Sequence, residues 1–194
     1  MRIFVAGASG VIGLRLVPRL VAAGHDVAAM TRSPAKVDVL ASTGARPIVC
    51  DVFDEERLLE VVGSFGPAIV IHQLTDLPDD SARIPEHLDG LVRIRTDGTD
   101  NLIDAARAAG ATTVIAQSVA WDLPGRGAEA VAHLEDAVLA VEGVVLRYGR
   151  FYGPGTYYPF SELPPMPRIT VDHAADRTVE MLDAASGVYT IAEH

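Results

Sequence analysis

Residues 3–13 read Ile-Phe-Val-Ala-Gly-Ala-Ser-Gly-Val-Ile-Gly, and they decide the fold. Ile3 to Ala6 is a short apolar run of the kind that forms a buried strand. Gly7, Gly10 and Gly13 follow at three-residue spacing. Val11, Ile12, Leu14, Leu16, Val17, Leu20 and Val21 then recur with helical period. Strand, glycine turn and helix in direct succession is the context a dinucleotide-phosphate site requires. Gly7 permits the tight turn, Gly10 leaves room for a diphosphate, and Gly13 lets the helix pack close to the sheet. Ser9, Gly10, Val11, Ile12 and Gly13 then offer free amides and the positive helix end to the phosphates.

Outward from that stretch, strand and helix alternate. Val27–Met30 reads as the second strand. Ser33-Pro34 reads as a cap with proline at the first helical position, opening a helix to about Ser42. Pro47–Cys50 is the third strand, Glu55–Ser64 a helix capped by Asp54, and Ala68–His72 the fourth strand. A polar loop, Asp76 to Pro85, precedes one long helix from Glu86 to Ala109. Thr113–Gln117, a helix over Ala128–Val141, Val144–Arg147, a loop over 149–168, a helix over Asp172–Ala184 and a strand Val188–Ile191 complete the pattern. Near-continuous apolar strands separated by helices predict one doubly wound α/β domain over 1–194, its parallel sheet covered on both faces.

Composition narrows the function classes. The 194 residues are 49% apolar and 22% charged, with a net charge of −10. No basic stripe offers itself to nucleic acid. The single cysteine, Cys50, permits no disulfide framework within the chain and agrees with a reducing cytoplasm. No apolar run approaches a membrane span, and the chain enters its first strand without a leader pattern. Histidines and cysteine lack metal-ligand spacing.

Ligands of such sheets sit at the carboxyl ends of the strands. Arg32 follows the second strand, where an NAD site usually carries an acid; a guanidinium there suits a 2′-phosphate and favours NADP(H), with NAD(H) the alternative. Asp51 and Val52 follow the third strand, beside the adenine. Gln73, Leu74 and Thr75 follow the fourth, on the ribose and nicotinamide side, and His72 ends it. Ser118 follows the fifth strand and could polarise a substrate carbonyl. Tyr148 and Tyr152 follow the sixth and could donate protons or line a pocket.

These strand ends together resemble the extended short-chain dehydrogenase/reductase family, in particular its NAD-dependent epimerase/dehydratase group. Gly7 to Gly13 is similar to its GxxGxxG, Asp51-Val52 to its adenine-side pair, and Gly98-Thr99-Asp100-Asn101-Leu102 to its central helix signature. Leu146 to Thr156 and Val171 to Ala175 resemble its later motifs. The resemblance implies a Rossmann-like sheet, a bound nicotinamide dinucleotide and a small-molecule substrate. It also exposes departures. Alignment on Glu135 puts Gly127 and Val131 where that family carries its catalytic Tyr-x-x-x-Lys, and Lys36 is the only lysine in the chain. Only Ser118 of the usual set remains. Residues 149–170 are a short remnant of the substrate-binding region, and the chain ends at His194, just after the last strand. The substrate pocket is therefore expected to be small, open or completed by another subunit.

Three functions fit these features. One is an NADP-dependent reductase or epimerase with a relocated proton donor, drawn from Tyr148, Tyr152, His133, His72 or Asp122. Another is a non-redox cyclase, isomerase or dehydratase. The third is a non-catalytic NADP(H) sensor. The long Glu86–Ala109 helix, apolar on more than one side, leads us to expect a homodimer.

Overall fold

Fully apolar strands with no solvated face can pair only inside a covered sheet, and parallel pairing requires a helical crossover between them. The computed structural model, which describes residues 1–159 and 162–193, realises both conditions. In chain order the elements are β1 Arg2–Ala6, α1 Gly13–Ala22, β2 Asp26–Thr31, α2 Val37–Ala41, β3 Arg46–Val49, α3 Glu55–Phe65, β4 Ile69–His72, α4 Leu88–Arg95 and α5 Asp97–Ala108. They continue as β5 Thr113–Val119, α6 Arg126–Ala140, β6 Val144–Tyr148, β7 Arg150–Tyr152, β8 Arg168–Thr170, α7 Val171–Glu180 and β9 Gly187–Ile191. Seven strands form one sheet in the order β3-β2-β1-β4-β5-β6-β9, and every neighbouring pair runs parallel. This is the doubly wound, Rossmann-like sheet expected from the sequence.

Two cores flank it. Ile3, Val5, Ile71, Ile115 and Leu146 pack under α1 and α7. Phe4, Ala6, Val70, Ala116 and Val145 pack under α3, α5 and α6. Period-two alternation thus sends successive residues of β1 to opposite cores, and both are sealed: Ile3, Phe4, Val5 and Ala6 are all fully buried.

The long helix expected over Glu86–Ala109 is two helices, broken at Thr96 (φ −97°, ψ −89°). The Thr96 hydroxyl donates back to the Val92 carbonyl at 3.2 Å, the side-chain back-bonding that bends helices. Its two halves take different partners, α4 lying on α6 and α5 on α3. Leu91 and Ile94 of α4 and Leu102 and Ile103 of α5 are buried by these partners, while Leu88 stays exposed. Two further expectations are corrected. Residues 81–87 form a 3-10 turn across the expected boundary between loop and helix at Pro85, and the stretch expected as loop over 149–168 contains β7 and the start of β8, paired in a two-stranded parallel sheet. Residues 160 and 161 of that stretch, and His194, lie outside the described residues. Among the described residues, no helix is long and apolar enough to cross a membrane, and no cluster of His, Cys, Asp or Glu is placed to hold a metal.

Candidate active site: two cavities at the carboxyl ends of the sheet

The glycine turn is shaped by close approach. Gly7 has φ +85°, and a Cβ there would lie 2.4 Å from the Gln73 carbonyl oxygen. A Cβ on Gly13 would lie 2.4 Å from the Gly7 carbonyl and 2.5 Å from that of Ala8. Gly13 therefore serves the contact between helix and turn, rather than the helix–sheet contact expected from the sequence. At Gly10 a Cβ would meet only the Gly7 carbonyl, at 3.3 Å, so the space in front of it is open. α1 starts at Gly13, two residues later than its apolar period suggested. The amides of Val11, Ile12 and Gly13 donate to no protein acceptor among the described residues. Ser9 Oγ and Thr31 Oγ1 lie 2.8 Å apart, tying the turn to the end of β2.

In front of the turn lies a cavity of about 190 Å³. Gly7, Ser9 and Gly10 line it from β1, Arg32 from β2, Asp51 and Val52 from β3, and Gln73, Leu74 and Thr75 from β4. Nine of the residues singled out in the sequence thus meet in one place. Val11, Ile12 and Gly13 lie outside its lining and contribute amides instead. Met30, Thr31, Cys50 and Ile94 also line it; being apolar or strand-internal, they carried no signal of their own. Burial pushes the Cys50 thiol up to about 11, with Asp54 adding to the effect. It is a protonated, packing residue. Asn101 Nδ2 donates to the Val52 carbonyl at 3.1 Å, and Gly98 gives α5 room against the Val52 side chain. These contacts explain the central helix signature: it braces the loop after β3. Asp51 Oδ1 accepts from the Phe53 amide at 3.0 Å, and Asp54 caps α3 as expected.

Beneath this cavity a buried relay has fixed proton directions. Thr178 Oγ1 donates to the Ala174 carbonyl at 2.7 Å. Tyr148, 2.6 Å from Thr178 Oγ1, therefore donates to it and accepts from Gln73 Nε2 at 3.3 Å. Gln73 Oε1 is left buried without a partner among the described residues. An unspent acceptor in the wall, open space at Gly10 and three unspent amides fit a dinucleotide, which brings hydroxyl donors and a diphosphate. Burial raises the Tyr148 phenol to about 12, despite its hydrogen bonds to Thr178 and Gln73, so its proton is held in structure. His72 is likewise structural. The Leu74 amide donates to its Nδ1 at 3.2 Å, leaving Nε2–H to donate to Thr99 Oγ1 at 3.0 Å. Burial, and secondarily Arg95, push this imidazole down to about 4.

A second cavity, of about 320 Å³, opens beside α6. Trp121, Asp122 and Leu123 line it from the loop after β5, Ala128, Val131 and Glu135 from α6, Arg147 from β6 and Thr190 from β9. At its base Ser118 donates to Glu135 Oε1 at 2.5 Å. Arg147 grips the same carboxylate through Nε at 2.8 Å and Nη2 at 2.5 Å. Burial raises the Glu135 carboxyl, but hydrogen bonds from Arg147 and Ser118 outweigh it and hold the group below the usual carboxylate range. The Ser118 proton is thereby committed to Glu135 and does not face a substrate carbonyl. Glu135 and Arg147 are the cavity-lining ion pair that sequence reasoning passed over, treating one as an alignment mark and the other as a strand end. Val131, at the position of the expected lysine, is in this wall, and Gly127 beside Leu123 carries no side chain. Tyr152 lies outside both linings, on β7, and donates to Glu193. His133 pairs with Asp100 at 2.9 Å on the outer surface.

Arg32 extends into solvent and donates from Nη2 to Asp76 Oδ1 at 2.8 Å. The segment Gly153 to Tyr158, which follows β7, is fastened at two points to the part of the mouth built by β1 to β4. Pro154 accepts from Arg15 of α1, and Tyr157 donates to the Pro78 carbonyl in the segment after β4.

Known proteins agree with this geometry. The profile of a family described as NAD(P)H-binding matches residues 7–138. A 3-diazoavenalumate denitrifying reductase from a Streptomyces species is 41% identical over 182 residues, covering 81% of this chain and 59% of that protein. A decarboxylating sterol-4-alpha-carboxylate 3-dehydrogenase from Dictyostelium discoideum is 30% identical over 112 residues, 58% of this chain and 32% of that one. The chain thus spans about three fifths and one third of these two relatives. Among solved structures, UDP-glucose 4-epimerase from Thermotoga maritima superposes with a TM-score of 0.80 at 17% identity, over 99% of this chain and 77% of that one. The Thermus thermophilus UDP-glucose 4-epimerase in complex with NAD gives 0.80 at 20% identity, over 99% and 78%. At these identities the epimerases share the fold.

Proposed function

The chain belongs to the NAD(P)H-binding family, and from that premise we propose that it is a reductase of a planar electrophile whose reduction draws no proton from the protein. The turn of Gly7 to Gly13 and the acceptor of Gln73 hold the dinucleotide; Arg32 supports NADPH over NADH. Bound there, a reduced nicotinamide supplies a hydride. Reducing a carbonyl to an alcohol also needs a proton at the oxygen, which a side chain must deliver. Here Gly127 and Val131 stand where that donor and its lysine are expected, Ser118 is held by Glu135, and Tyr148 is sealed below the cavity.

One chemistry makes this arrangement sufficient. When hydride replaces the N₂⁺ group of an aryl diazonium, one C–H bond forms, one C–N bond breaks, and dinitrogen leaves with the bonding pair. Charge balances with no proton moved. The name of the Streptomyces relative, a denitrifying reductase of a diazo acid, favours this class. The 320 Å³ cavity supports it as well: Trp121, Leu123 and Val131 suit a flat ring, and Arg147 offers its outward guanidinium edge to an anionic end. The observation that carries the reading is the proton-donor position itself, glycine and valine beside a serine already spent.

The test mixes purified protein and NADPH with aryl diazonium carboxylates and, separately, with a panel of aldehydes and ketones. Loss of reduced-nicotinamide absorbance with release of N₂ is expected in the first set and not in the second. Carbonyl turnover at comparable rates would overturn the reading. Tight NADPH binding with no turnover in either set would replace it with the sensor reading.

A further inference from the structure

The guanidinium that favours a 2′-phosphate already has an anion. Arg32 Nη2 lies 2.8 Å from Asp76 Oδ1, with the Arg32 side chain 66% exposed and that of Asp76 25% exposed. Asp76 belongs to the segment after β4 and follows Thr75, which lines the 190 Å³ cavity together with Arg32. Its carboxylate does not depend on Arg32 alone for its place. Oδ2 rests against the Cα of Gly90, where an added Cβ would stand 2.2 Å from it. His87 Nδ1 approaches the same oxygen at 4.0 Å. Gly90 sits in the first turn of α4, where nothing in the backbone calls for glycine; what it provides is room for this carboxylate.

We propose that Asp76 is a specificity-determining residue: a resident counter-anion, seated by Gly90, that a 2′-phosphate must displace from Arg32. A phosphate and a carboxylate competing for one guanidinium repel each other, so NADPH carries a cost that NADH does not. A ribose with two free hydroxyls asks for no cation and leaves the pair intact. Asp76 therefore narrows the preference that Arg32 alone would give, and lets the cleft accept both dinucleotides. The inference rests on the nucleotide-binding reading above.

Calorimetric titration of the full chain with NADPH and with NADH tests it. In Asp76→Asn the ratio of NADPH to NADH affinity is expected to rise about threefold to tenfold, the range for an exposed pair plus relief of like-charge contact. Gly90→Ala keeps the carboxylate but evicts it from its seat, and is expected to move the ratio in the same direction. Because alanine also favours helix, this variant should melt no lower than the parent. In an Arg32→Ala background, Asp76→Asn should shift the ratio less than in the parent, because only the relief of like-charge contact remains; a shift as large as in the parent would overturn the competition for Arg32. An unmoved or lowered ratio in Asp76→Asn, with both dinucleotides still bound, overturns the inference and leaves the nucleotide site standing. A parent protein that binds neither dinucleotide overturns both.

Discussion

The two halves of the sheet's mouth are built from different material. At β1 to β4 the phosphate end of the site is backbone, a glycine turn and three amides, with the side chains of Arg32 and Gln73 at its edges and Asn101 bracing the Val52 carbonyl. At β5, β6 and β9 it is side chain: Ser118, Glu135, Arg147, Trp121 and Val131. Backbone sites tolerate almost no change, because the peptide groups that bind ligand also set the packing distances. Side-chain sites can be rewritten one residue at a time. The half at β1 to β4 accordingly carries the glycine fingerprint, while at β5, β6 and β9 Gly127 and Val131 stand where the resemblance expects tyrosine and lysine, beside the Ser118–Glu135–Arg147 cluster.

Variants at Gly13, His72 and the Glu135–Arg147 pair test this comparison. Gly13→Val should cost about 3 kcal/mol or more, because its Cβ meets two carbonyls and the turn cannot yield. Nucleotide affinity should fall roughly 100-fold where the protein still folds, read by calorimetry and melting temperature. Normal NADPH binding by this variant would break the comparison.

His72 comes next. Its folded-state value, about 4, lies below the unfolded reference of about 6.5, so the unfolded chain binds the extra proton first. Its contribution to stability is complete above pH 6.5 and is lost as the pH falls toward 4. The size is of the order of 3 kcal/mol. Denaturant titrations of the parent across that window should show the slope, and His72→Gln should flatten it.

Arg147→Met leaves the Glu135 carboxylate, 9% exposed, without its cation. Because the arginine side chain is 44% exposed, water reaches the break. The cost should be about 2 kcal/mol, below the range for fully buried pairs. Glu135→Leu with Arg147→Met should recover part of it. NADPH affinity should hold within about threefold in both, since the pair belongs to the other half.

Much of this was legible in the sequence, for reasons that differ by region. β1, β4, β5 and β6 announced themselves because fully apolar runs have few other uses. The cofactor cleft was legible because topology alone brings Arg32, Asp51 and Gln73 to one end of a parallel sheet. The break at Thr96 was not, since a back-bonded hydroxyl interrupts no apolar period. β7 and β8 are three residues each and, among the described residues, pair only with one another, across a stretch of glycine and proline that reads as loop. Tyr148 looked like a proton donor because the sequence gives no hint that Thr178, thirty residues on, would take its hydrogen bond. The Arg32–Asp76 and Glu135–Arg147 pairs escaped for the same reason: long-range side-chain partners leave no local pattern.

The all-parallel pairing of the sheet has a consequence during synthesis. Ile3 must align with Ile69 of β4 as well as with Val27 of β2, and no hairpin can join such neighbours. At about 5–20 residues per second, Ile69 leaves the ribosome several seconds after Ile3. A strand whose Ile3 to Ala6 are fully buried in the finished molecule therefore waits for its second neighbour after the first has been made. For that interval its apolar faces are open to whatever else is nascent nearby.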